Sequence, residues 1–183
     1  MESNEAPGKN VTGTSDMNPV TDQIALVKQL VPDAETVGIL YNSAESNSEI
    51  QAELAEAACE AEGLTAERLT ISSTNEIQTV VTSAVGKIDV LYAPTDNMIA
   101  SAMATVAMVA NENGLPTIVG EPGMVANGGL ATYGIDYEAL GYQAGEMAAQ
   151  ILTEGADPAE MPIGYQDSSQ CVFQVNVDTA EAL

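Results

Sequence analysis

The side chains in this chain that can do chemistry gather in four short segments: Tyr41–Asn47, Pro94–Asn97, Gly120–Gly123 and Tyr133–Tyr137. Together they offer hydroxyls, amides, carboxylates and phenols, but no histidine and no cation. That inventory suits holding a polar small molecule better than transforming one. Ser43 and Ser46, beside a helix N-terminus, can hold a carboxylate, and Asp96 or Asp136 can pair with an ammonium. Tyrosines can stack an apolar side chain. The combination fits a zwitterion such as an amino acid. The same residues also have a plainer role, in which Ser46, Asp96 and Asp136 cap helices, Asn42 and Asn97 shape turns, and Tyr41 and Tyr92 pack in the core. Both roles stay open at this level.

Several kinds of chemistry lose their usual parts. There is no histidine, and the two cysteines, Cys59 and Cys171, form no C-x-x-C pair, so zinc, haem and Cys–His nucleophile chemistry lack ligands. The two cysteines are expected to be separate buried thiols, with a disulfide between them left open. No glycine-rich phosphate fingerprint or nucleophile elbow occurs, and no cofactor is expected. A catalytic α/β domain would need a metal held by Asp96, Glu121 and Asp136, and the reading here is of a protein that is not an enzyme. Four basic against 27 acidic residues give a net charge of −23, which repels phosphate backbones and anionic membranes and excludes nucleic acid as a partner. The richest apolar run, Met98–Ala110, is interrupted by Ser101 and Thr105 and falls short of the roughly 18 to 20 residues a membrane span needs. Met1–Glu5 carries neither a basic nor an apolar leader region.

The elements that must position the four segments alternate between short β-branched runs and capped helices, the pattern of βαβ units on a parallel sheet. Asn18-Pro19 opens a helix to Leu30 with Ile24, Val27 and Leu30 inward. Strands are expected at Thr36–Tyr41, Leu69–Ile71, Ile88–Tyr92, Thr117–Val119 and Ala131–Tyr133. Ser46 with Glu49, and Ser73 with Glu76, have capping-box spacing, the first opening a helix that buries Ile50, Leu54, Ala57 and Ala58. Further helices are expected over Met98–Asn113 and from Asp136 to Gly155, with a last strand at Cys171–Val177. The expected fold class is a three-layer α/β/α sandwich with a parallel sheet, which places all four polar segments after strands. In open parallel sheets that is where ligands bind.

Four motifs in order carry a resemblance: Gly8-Lys9-Asn10-Val11-Thr12-Gly13-Thr14-Ser15-Asp16, Ile39-Leu40-Tyr41-Asn42-Ser43, Ala93-Pro94-Thr95-Asp96-Asn97, and Ala131 to Tyr137 continuing through Leu140-Gly141-Tyr142-Gln143-Ala144-Gly145. They resemble the tryptophan-type ABC-transporter solute-binding proteins. The resemblance implies a Rossmann-like lobe of a type I periplasmic-binding fold, in which two lobes joined by crossing strands close over an aromatic amino acid or a related solute. It further implies a transporter permease as partner and an extracytoplasmic location, periplasmic or anchored as a lipoprotein. Carried over by motif, the ligand-binding candidates are Thr14, Ser15, Asn42, Ser43, Ser46, Asn47, Asp96, Asn97, Tyr133 and Asp136, with Glu45 weaker. On this reading residues 1–8 are a disordered tail, 9–127 the second lobe, and 128–183 a crossover section, helix and strand belonging partly to a first lobe that is mostly absent from this sequence. Self-association through the face left exposed is then expected. The alternative is the effector-sensing domain of a transcription regulator with the same fold.

Overall fold

The computed structural model describes residues 3–166 and 168–183. They fall into two compact units: Asn18–Gly134 with Val172–Leu183, and the residues up to Met17 with Ile135–Cys171. The expected division at 127/128 thus compares with observed divisions after Met17, Gly134 and Cys171.

The larger unit holds the whole sheet. Strands β1 (Thr36–Asn42), β2 (Thr65–Ile71), β3 (Val90–Ala93), β4 (Thr117–Val119), β5 (Ala131–Gly134) and β6 (Val172–Val175) lie in the order β2-β1-β3-β4-β5-β6. The first five are parallel, with Leu40 opposite Leu69, Ile39 opposite Tyr92, and Tyr92 opposite Ile118. Strand β6 runs antiparallel to β5 and sets Phe173 against Tyr133. The sandwich is therefore mixed at one edge rather than wholly parallel. Helices cover both faces: α1 (Val20–Leu30) and α2 (Ser46–Ala61) on one, α3 (Ile77–Ala84), α4 (Asn97–Ser101), α5 (Met103–Glu112) and α6 (Pro122–Ala126) on the other. Side-chain alternation along β1 feeds both cores, with Leu40 toward α3 and α5 and Ile39 and Tyr41 toward α1 and α2. A strand buried on both faces must be apolar throughout, which is why β1 and β3 read as continuous apolar runs.

Three local expectations are corrected. Helix α2 buries Ala58 as expected but leaves Ile50 and Leu54 48% and 44% exposed and Ala57 exposed as well, burying Ser48, Gln51, Ala52, Ala55 and Cys59 in their place. The Ser46/Glu49 capping box does not form, because the Glu49 carboxylate is drawn to Arg68. The helix expected over Met98–Asn113 is broken at Ala102 into α4 and α5. Beyond β6, Asn176 caps a short helix α8 (Val177–Ala182), its side chain accepting from the Thr179 amide.

The smaller unit is built on α7 (Tyr137–Ala149), extended by a π-helical turn, Gln150–Glu154, that Gly155 closes at φ 73°. The segment before Met17 is tied to residues 159–165. Ile163 N–H donates to Asn4 O at 2.7 Å, Gly8 N–H to Ala159 O at 3.0 Å, and Ser15 N–H to Gly164 O at 2.8 Å. Leu140 is the buried side chain of α7, while Tyr142 and Leu152, on α7 and its π-helical extension, stand 71% and 83% exposed.

Candidate functional site

The carboxyl ends of β1, β3, β4 and β5 are joined by buried polar side chains. Asp96, with no exposed surface, caps α4: its Oδ1 accepts from the Met98 and Ile99 amides at 2.9 and 3.0 Å. Its Oδ2 accepts from the Asn42 amide at 2.8 Å and from the Ser48 hydroxyl at 2.7 Å. One carboxylate thus fixes the end of β1 and the first turns of α2 and α4 together. Burying a charge is costly unless it is well bonded, and four donors, two of them at a helix start, meet that condition.

Gln51 clamps the next peptide, donating to Thr95 O at 2.9 Å and accepting from Thr95 N–H at 3.3 Å. The Asn18 amide donates to the Thr95 hydroxyl. Gln23, fully buried, donates to Gly120 O at 3.0 Å and Tyr133 O at 2.8 Å and accepts from the Tyr92 hydroxyl at 2.6 Å. Burial pushes that phenol well above its ordinary range. The loops after β3 and β4 are so close that a Cβ at Gly120 would stand 2.3 Å from the Thr95 nitrogen, so only glycine fits there. Asn42 shapes the loop after β1, its Oδ1 accepting from the Ala44 amide at 3.0 Å and its Nδ2 donating to Glu45 at 3.1 Å.

On this rigid base the exposed groups are Ser43, Ser46, Asn47 and Asn97. Helix α2 begins at Ser46 with no side chain capping it; Glu45 at the cap position is extended, its backbone carbonyl accepting from the Glu49 amide at 3.1 Å while its side chain makes no bond to the first turn. Its open amides and positive dipole end suit a carboxylate. Tyr133 is half-buried against the α1 side of the sheet. These residues, with Asn42 and Asp96, all belong to the larger unit. Thr14, Ser15 and Asp136 belong to the smaller one. There Thr14 bridges to Gly164, and the Ser15 hydroxyl accepts from the Met17 amide at 3.2 Å. Asp136 caps α7 by accepting from the Glu138 and Ala139 amides, while Gln166 bonds both its backbone N–H and its carbonyl. An open hollow of about 640 Å³ in this unit is lined by Asp136, Tyr142, Gln143, Glu146 and Gln166.

Sequence reasoning passed over Gln23, Ser48 and Gln51, the residues that hold the loops. A signal existed in α2: Ser48 and Gln51 continue the stripe of small residues Ala52, Ala55, Ala58 and Cys59 at helical spacing. Asp96 and Asp136 both perform the capping role that their spacing allowed.

Behind α2, Arg68 of β2 pairs with Glu49 and Glu56, donates to the Tyr41 hydroxyl at 2.9 Å, and lies 5.7 Å from that ring's centre. Its guanidinium holds both glutamates below the usual carboxylate range. No group of three or more histidine, cysteine, aspartate or glutamate side chains that could hold a metal occurs among the described residues, and no described helix is long and apolar enough to cross a membrane.

Comparison with known proteins converges on one family. The profile of the ABC transporter substrate binding proteins matches residues 1–183. A tyrosine-binding protein of Clostridioides difficile (strain R20291) is 43% identical over 183 residues, all of this chain and 52% of that protein. Among solved structures, an ABC domain from Streptococcus pneumonia in complex with L-Trp superposes with a TM-score of 0.89 at 39% identity, covering 98% of this chain and 60% of that one. A ligand-free, open substrate binding protein with adhesive properties from Clostridium difficile gives 0.82 at 41% identity, covering 99% and 60%. The chain thus spans roughly half to three-fifths of the length of these relatives.

Proposed function

We propose that this chain, which belongs to the ABC transporter substrate-binding protein family, forms part of a site for an aromatic L-amino acid, the ligand's carboxylate lying on the open first turn of α2. The observation that carries this reading is the uncapped N-terminus of α2, with Ser43, Ser46, Asn47 and Asn97 exposed at the starts of α2 and α4, held by buried polar bonds at the carboxyl ends of the parallel strands. Relatives whose names or structures record tyrosine and L-Trp support the choice of ligand class. In this reading Tyr133 offers an aromatic face, while Thr14, Ser15 and Asp136 stay candidates within the smaller unit alone. Asp96 and Asn42 act by holding the loops in shape.

The role that follows for the whole protein is ligand capture outside the cytoplasm for delivery to an ABC permease, without chemical change to the ligand. Titration calorimetry with L-tyrosine, L-tryptophan and L-alanine tests the site. Saturable heat with the aromatic pair, and none with L-alanine, is expected. Equal response to all three, or to none, would overturn the assignment.

A further inference from the structure

Helix α2 is rotated against its own hydrophobicity. Ile50 and Leu54 stand about half exposed while Ser48, at 0% exposure, and Gln51, at 6%, are turned into the protein. Apolar burial alone favours the opposite rotation, because each aliphatic side chain gains on leaving water and each buried polar group must be matched by a bond. What the observed rotation secures is the set of bonds to the loop after β3: the Ser48 hydroxyl to Asp96 Oδ2, and the Gln51 amide in both directions to the Thr95 peptide. The remainder of the buried stripe is alanine and cysteine, small enough to let the helix lie close to the sheet on that face.

We infer that Ser48 and Gln51 are positioning residues of the binding site, setting the rotation of α2 so that its open first turn and the start of α4 with the loop before it form one rigid surface, and governing ligand affinity without touching the ligand. This rests on the amino-acid-binding reading above. Local rules broken in concert are expected where function requires it. A first turn held at two points also loses less freedom when a ligand seats on it.

The test compares three variants with the wild-type chain at a temperature well below all their unfolding midpoints. Ser48→Ala and Gln51→Leu remove the two anchors, and Val81→Ala in the α3 core removes stability from a residue with no bond to either loop. Affinity for L-tyrosine is expected to fall about tenfold or more in Ser48→Ala and Gln51→Leu, the equivalent of one lost anchoring bond each, and to stay within about twofold in Val81→Ala despite its lower midpoint. Wild-type affinity in Ser48→Ala and Gln51→Leu, or an equal loss in Val81→Ala, would overturn the inference. Amide hydrogen exchange without ligand gives a separate reading. The Thr95 amide should exchange faster in Gln51→Leu, and the Asn42 and Met98 amides faster in Ser48→Ala, with α5 unchanged. If wild-type chain binds neither aromatic amino acid, the functional reading fails while exchange still decides the positioning role, and unchanged exchange rates would overturn that role too.

Discussion

The two ends of the parallel sheet are finished in different ways. At the amino ends of the strands, α3 and α5 are followed by glycines in left-handed conformation, Gly86 at φ 75° and Gly114 at 63°, and α2 by Gly63 at 69°, none with a neighbour within 4 Å of where a Cβ would stand. The polar groups there are met by backbone and by a few side chains: the exposed Asp89, whose Oδ2 accepts from the Glu35 and Thr36 amides, Lys28, which donates to Ala34 O, and the buried Thr117, whose hydroxyl accepts from the Leu130 amide. At the carboxyl ends the turns are held by buried side chains, Asn18, Gln23, Ser48, Gln51 and Asp96. Backbone capping is the inexpensive way to end a helix, and side chains buried to hold loops are the costly way. The costly construction sits where exposed hydroxyls and amides gather.

The largest expected contrast is between two aspartates. Asp96→Ala leaves the Asn42, Met98 and Ile99 amides and the Ser48 hydroxyl without their acceptor, and should cost about 3–5 kcal/mol in denaturant unfolding. Asp89→Ala, at the exposed end, should cost about 1 kcal/mol. Similar losses for the two would break the comparison. A second contrast uses glycines. Gly120→Ala forces a Cβ against the Thr95 backbone and should cost roughly 2–3 kcal/mol as the two loops are pushed apart, whereas Gly114→Ala meets only its positive φ and should cost about 1 kcal/mol. Thermal unfolding of the two variants side by side measures the difference.

Smaller effects sharpen the picture. With a net charge of −23, self-repulsion at low ionic strength should be screened as the Debye length shrinks to roughly 3 Å in molar salt, raising the unfolding midpoint by a few degrees. The Asp96→Ala deficit should persist in that salt, because buried interactions are screened little. A deficit that vanishes in salt would place Asp96 among surface charges. Farther along α2, Cys59 lies on the same buried stripe as Ser48 and Gln51, but in its apolar part. Burial pushes its thiol up to about 11, so the neutral form is the one the fold holds. Alkylation of Cys59 in the native chain should be negligible at pH 8 and rise as pH climbs toward 11. Rapid labelling at pH 8, followed by mass spectrometry of the Cys59 peptide, would contradict that environment.

Much of this fold could be read from the sequence, and the failures have physical causes. Strand Thr117–Val119 and the Asp136 cap were legible because β-branched runs and capping residues act locally. The antiparallel direction of β6 was not, since direction is set by connection and not by composition. Asp96 was legible as a helix cap after β3, but its bonds to Asn42 and Ser48 link positions far apart in the chain. The rotation of α2 was misread because Ile50 and Leu54 give the stronger hydrophobic signal, while the decisive partners, Thr95 and Asp96, lie on another loop. The Ser46/Glu49 capping box failed for the same kind of reason, as Glu49 has Arg68 to pair with.

The central claim is that the open first turn of α2 receives the carboxylate of an aromatic amino acid. Residue-resolved amide hydrogen exchange of the chain, with and without saturating L-tyrosine, tests it most directly. The account predicts that ligand slows exchange at the exposed Ser46 and Asn47 amides, while the amides near Gly86 and Gly114 at the opposite end of the sheet keep their rates. Slowing confined to that opposite end, or no change at residues 46 and 47 under conditions where L-tyrosine is demonstrably bound, would contradict it.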